Sequence, residues 1–145
     1  MQPLSPATVR YIKLGSGGAF ARACLDRGEI HLDYTNAPHD LCAAGDWEVL
    51  VAQFIGEGRT PGKAKDAVRE IRDFYSLGPD CLWITFTDGH LWWAFAEREV
   101  TWLGIGDRSM GTRARKAIGG WRNTGIDGQF LRMPSFFSKG ASPAS

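Results

Sequence analysis

The 145-residue chain has little that could hold it together covalently. Its three cysteines, Cys24, Cys42 and Cys81, are odd in number, far apart and free of any C-x-x-C pairing, which argues against a disulfide framework and against a structural zinc site. They read as reduced core residues, as free cysteines mostly are. His31, His39 and His90 have no ligand spacing to one another or to the cysteines, so neither a metal nor a cofactor is expected. No apolar run approaches the ~18 residues that a membrane span needs. Residues 1–8 carry no basic-plus-apolar leader pattern, and the expectation is a soluble cytoplasmic protein with no membrane partner. Enzyme signatures are missing as well. The chain has no H-E-x-x-H, no G-x-S-x-G, no H-x-E with P-C-x-x-C, and no nuclease constellation of paired carboxylates with lysine.

Net charge is small, +1, but it is unevenly spread. Residues 1–100 hold ten Lys and Arg against fourteen Asp and Glu, whereas residues 101–145 hold seven against two. A basic carboxy-terminal third on an acidic body is a cue for an anionic partner, of which nucleic acid is the commonest. A solvated basic surface with no partner is the plainer alternative. At this length a single domain can bury on the order of two-thirds of its unfolded surface, so the core needs no staples.

Taken in order, residues 1–8 form a loose lead-in. Residues 9–14 alternate as a strand that ends at Gly15-Ser16-Gly17-Gly18, and residues 19–27 suit a short helix closed by Gly28. A glycine-rich junction between strand and helix can hold a phosphate on backbone N–H groups, or be a tight turn with no ligand. Residues 29–34 alternate cleanly as a second strand. A helix is expected to begin around His39 or Asp40, and Asp46 caps a clearer one with Trp47, Leu50, Val51 and Phe54 on one face. Thr60-Pro61 then starts an amphipathic helix through Tyr75, with Ala64, Ala67, Val68, Ile71 and Phe74 inward.

Gly78-Pro79-Asp80 turns the chain into two aromatic, β-branched runs separated by Asp88-Gly89, the signature of a type I′ hairpin. A two-residue loop sets Thr87 opposite His90, Thr85 opposite Trp92, Trp83 opposite Ala94 and Leu82 opposite Phe95. Leu82, Ile84, Phe86, Leu91, Trp93 and Phe95 then read as the core face. Cys81, Trp83, Thr85, Thr87, His90, Trp92 and Ala94 lie on the other, leaving Trp83 and Trp92 to a site or to a covering helix. Residues 100–105 suggest a further strand. From Gly106 the chain is basic and poorly patterned, residues 119–129 read as a glycine-punctuated loop around Trp121, and residues 130–133 as a short strand. Residues 140–145 look unstructured. Trp121 between Gly120 and Arg122 is either a base-stacking residue with a cationic neighbour or a plug that holds the loop down.

Where the amphipathic helix passes through Gly78-Pro79-Asp80 into Leu82-Trp83-Ile84 and Leu91-Trp92-Trp93-Ala94-Phe95-Ala96, the chain resembles the PUA-like superfamily, which includes the EVE and YTH domains. The likeness spans about residues 9–103. It implies an α+β fold with a small mixed, partly closed β-barrel and flanking helices, a single domain over residues 9–138 and a flexible tail over 139–145. It also implies a reader that flips a modified base, methylated or hydroxymethylated, into an aromatic pocket, as the specificity module of a restriction or defence system. By role, Trp83, Trp92 and Trp121 are then cage candidates, and Ser16, Asp33, His39 and Asp40 candidates for the polar base edge. Lys13, Gly17, Gly18, Arg108, Arg113, Arg115, Lys116 and Arg122 are phosphate candidates. The expected partner is nucleic acid, DNA in preference to RNA, with any nuclease fused or associated. Two alternatives stand beside this: a small nuclease or nucleotide hydrolase using His39, Asp40 or His90, and a protein-interaction module with exposed tryptophans.

Overall fold

The computed structural model describes residues 6–15, 18–106 and 109–124. It is an α+β arrangement of one five-stranded mixed sheet and four helices. In chain order these are β1 (Thr8–Tyr11), α1 (Ala21–Arg27), β2 (Glu29–Leu32), α2 (His39–Ala43), α3 (Trp47–Gly56), α4 (Pro61–Ser76), β3 (Cys81–Thr87), β4 (His90–Trp102) and β5 (Arg113–Arg122). The spatial order is β1-β3-β4-β5-β2. β1 runs parallel to β3, and the other three pairings are antiparallel. β1 and β2 therefore lie at the two margins and are not paired with each other, so the sheet is open. No helix among the described residues is long and apolar enough to cross a membrane.

α4 forms where its start signals place it. The Thr60 Oγ1 accepts from the Lys63 N–H at 3.3 Å, and Pro61 occupies the first turn, where no N–H is missed. Ala64, Ala67, Val68, Ile71 and Phe74 are buried at helical spacing against the sheet. Burying a side chain the size of Val68, Ile71 or Phe74 contributes roughly 1.5–3 kcal/mol. The Phe74 ring meets Trp83 of β3 edge-on, with centroids 6.0 Å apart.

The hairpin register is as expected, from Thr87 opposite His90 to Leu82 opposite Phe95. Asp88 and Gly89 both take positive φ, 54° and 73°, as a type I′ turn requires. The assignment of its faces is largely reversed. Cys81, Trp83, Thr85, Ala94 and Ala96 are buried, whereas of the expected core face only Trp93 is buried and Leu82, Ile84, Phe86, Leu91 and Phe95 are half-buried. The helix packs on the side where small residues let it approach, not on the side of greater hydrophobicity. β4 also continues as one 13-residue strand to Trp102, with a register shift between Ala96 and Val100 in place of two separate strands.

A larger correction concerns residues 113–122. The expected basic loop is a strand, β5, between β4 and β2. Arginine occupies two inward positions: Arg113, Arg115, Ala117 and Trp121 are buried, Ala114 between the arginines is buried as well, and Lys116, Ile118 and Arg122 are exposed. A strand whose inward set includes two full charges has no readable hydrophobic period. The expected strand at residues 130–133, the loop beyond residue 124, the tail from 139 and the domain limit at 138 lie outside the described residues. So do Ser16, Gly17 and Arg108.

Candidate functional site

The open seam between the sheet's margins holds a cavity where aromatic and charged residues meet. A cavity of about 330 Å³ is lined by Arg10 and Tyr11 of β1, Ile12 just after it, Leu32 at the end of β2, Trp83 of β3, and Asp66, Arg69, Glu70, Asp73 and Phe74 of α4. Spacing explains the helix contribution. Residues 66, 69, 70 and 73 share one face of a helix, next to the buried stripe that ends at Phe74. Charged residues thus edge the cavity and aromatic ones wall it.

Trp83 is 3% exposed and sits between Phe74 and the Arg115 guanidinium, whose central carbon is 5.8 Å from the indole centroid. Its indole N–H is enclosed and has no acceptor among the described residues. Tyr11 stacks on Phe86 at 5.7 Å, and burial raises its hydroxyl above the ordinary tyrosine value. The Arg10 Nε donates to the Asp73 carboxylate at 2.9 Å and ties β1 to α4.

Two further cavities adjoin this one. One, of about 220 Å³, is lined by Lys13, Gly15, Leu32, Asp33, Tyr34 and Glu70. The other, of about 320 Å³, is lined by Tyr34, Arg59, Lys63, Asp66, Ala67, Arg69 and Glu70. Glu70 lines all three. The Tyr34 hydroxyl donates to it at 3.0 Å. Burial first, and then the Glu70 charge, push that hydroxyl well above its usual value.

Of the residues singled out in the sequence, Trp83, Lys13 and Asp33 come together around this cleft. The others go elsewhere. Trp92 is half-buried on β4 and its indole N–H donates to the Thr87 carbonyl. Trp121, expected in a loop, lies in β5 and donates to the Glu29 carbonyl at 2.8 Å. Gly18 donates its N–H to the Gly15 carbonyl within the turn. Arg113 and Arg115, expected on a basic surface, are 0% and 1% exposed. The first reaches the Tyr34 and Ala37 carbonyls, the Thr112 and Tyr75 hydroxyls and the Cys42 thiol. The second reaches the Glu97 and Phe74 carbonyls, and burial lowers its pKa from the ordinary arginine value. Lys116 and Arg122 are exposed on β5.

His39 and Asp40 open α2, and His90 follows the hairpin turn. The Tyr75 hydroxyl, which accepts from Arg113, is hydrogen-bonded to His39 Nδ1 at 2.8 Å. The His39 ring lies over Trp102 at 6.1 Å. His90 Nδ1 donates to the Asp88 carbonyl at 2.8 Å. His39 and Asp40 thus belong to α2, and His90 to β4. Among the described residues no group of three or more His, Cys, Asp or Glu side chains is placed to hold a metal ion.

Tyr11, Arg10, Arg59, Lys63, Arg69 and Glu70 were not singled out in the sequence as site residues. The α4 members were visible only as the wet face of an amphipathic helix. The parallel pairing that sets Arg10 opposite Trp83 and Tyr11 opposite Ile84 joins residues more than seventy positions apart. Comparison of the chain with protein-family models, curated protein sequences and solved structures gives no match.

Proposed function

We propose that the chain is a nucleic-acid-binding domain that takes a chemically modified nucleobase, methylated or hydroxymethylated, into the seam cavity, with DNA preferred to RNA. On this reading the open sheet is a partly closed barrel of the PUA-like kind, and the chain serves as the reading module of a restriction or defence system whose effector is fused or associated. The supporting observation is the seam cavity itself, a space of about 330 Å³ lined by the aromatic residues Phe74 and Trp83 together with hydrogen-bonding side chains. Its volume falls at the lower end of the range, roughly 300–1,000 Å³, of small-molecule sites. Extruding a base costs a few kcal/mol, and stacking on aromatic faces recovers about 1–3 kcal/mol per base.

The test is a binding array of single- and double-stranded DNA and RNA oligonucleotides, with and without methylated or hydroxymethylated bases. A preference for one modified base over its unmodified counterpart is expected. If every oligonucleotide fails to bind at low salt, the reading is lost.

A further inference from the structure

The charges around the cleft are not evenly mixed. Three carboxylates, Asp66, Glu70 and Asp73, edge the seam cavity, and its two arginines are already paired, Arg10 with Asp73 and Arg69 with Asp66. A phosphate finds no open cation there. The adjoining cavities differ. Lys13 lines one and Lys63 the other, both exposed, and neither takes part in an ion pair among the described residues. Arg59 adds a second cation beside Lys63. The bonded pair Tyr34 and Glu70 lines both spaces and stands between them.

From this layout, and resting on the base-reading function proposed above, we propose that Lys13 and Lys63 hold the two backbone phosphates flanking the nucleotide whose base enters the seam cavity. The site then takes an internal nucleotide of a strand, with phosphate on both sides, and not a free nucleoside or an unphosphorylated end. The carboxylate edge turns phosphate away from the middle, and the lysines draw it to either side. Asp33, which also lines the Lys13 cavity, limits how much charge that side can accept. The stronger phosphate contact is therefore on the Lys63 side, where Arg59 assists.

Fluorescence anisotropy with the full chain tests this. One probe carries the preferred modified base inside a short strand, a second carries it at an unphosphorylated 5′ end, and the free nucleoside serves as competitor. The internal probe should bind at least tenfold more tightly than the terminal one. Lys13→Ala and Lys63→Ala should each lower the slope of log affinity against log salt by about 0.7–0.9, and together by about twice that. Preference for the modified base should stay as in the unaltered chain. Lys116→Ala and Arg122→Ala, on exposed β5 positions, should leave the slope unchanged.

Unchanged slopes in both cleft variants, or a slope that falls only with the β5 variants, overturn the phosphate assignment while base discrimination still upholds the reading function. A nucleoside that competes as well as the internal probe does the same. If no probe binds the unaltered chain, both proposals fall together.

Discussion

Arg113 is fully enclosed and forms no ion pair among the described residues; its guanidinium is held by backbone carbonyls, hydroxyls and a thiol arranged around it in several directions. The planar fork suits such an array and a lysine ammonium does not. Arg113→Met would leave the Tyr34 and Ala37 carbonyls without their partner, at about 1–3 kcal/mol for each buried group unsatisfied. Chemical denaturation should show Arg113→Met and Arg113→Lys losing similar stability, on the order of 3–5 kcal/mol. A lysine variant as stable as the parent would show that charge alone is what the position needs. Thr60→Ala, which removes the α4 cap, is a milder change of about 1 kcal/mol. The cap was legible in two adjacent letters. The role of Arg113 was not, because charge in a sequence signals surface unless the carbonyls that will surround it are known.

At the scale of elements, the hairpin is the instructive case. Turn chemistry set its register residue by residue, yet hydrophobicity alone chose the wrong face for the core. Ala94 and Ala96 are 1% and 0% exposed, and their small size is what admits the layer carrying α4. Ala94→Leu should therefore overpack that layer and cost about 1–3 kcal/mol, measured by thermal or denaturant unfolding. Were residue 94 on a solvent-facing side, the same substitution would be close to neutral. β5 shows the complementary failure. Arginines stand at inward positions where a strand ordinarily shows Val or Ile, and Ala114 between them is buried too, so a period-2 search passes over it. Trp121, the supposed loop aromatic, is one of the inward positions of that strand, and its indole ties β5 to the Glu29 carbonyl.

Across the whole molecule, one buried polar junction ties the β2 margin to the segment entering β5. His31 is fully buried; its Nδ1 accepts from the Gly111 N–H, so the proton sits on Nε2 and is donated to Glu29. A Cβ on Gly111 would lie 2.8 Å from both His31 Cβ and the Leu32 carbonyl, so only glycine lets the segment come this close. Burial, opposed in part by Glu29, lowers the His31 pKa below its ordinary 6.5. Burial alone would raise Glu29, but bonds from Arg27 and His31 outweigh it, and its carboxyl ends below its ordinary 4.5. In both cases the unfolded chain takes up protons more readily than the folded one, so this stability is complete above about pH 6.5 and declines as the pH falls. The His31 share is lost first, from 6.5 downward, and the Glu29 share from 4.5 downward. His31→Asn, which keeps an acceptor near the Nδ1 position, should flatten the change in unfolding midpoint between pH 7 and pH 5; an unaltered profile would remove His31 as its source. By itself the sequence determined the local units: the α4 start, the type I′ turn and its register, and the α+β class. These depend on neighbours within a few positions. Only the tertiary structure decided which hairpin face is core, which arginines are interior and which side chains meet at the seam. Those outcomes follow from pairings between segments distant in the chain, where the enclosing surface and not the residue type sets the environment.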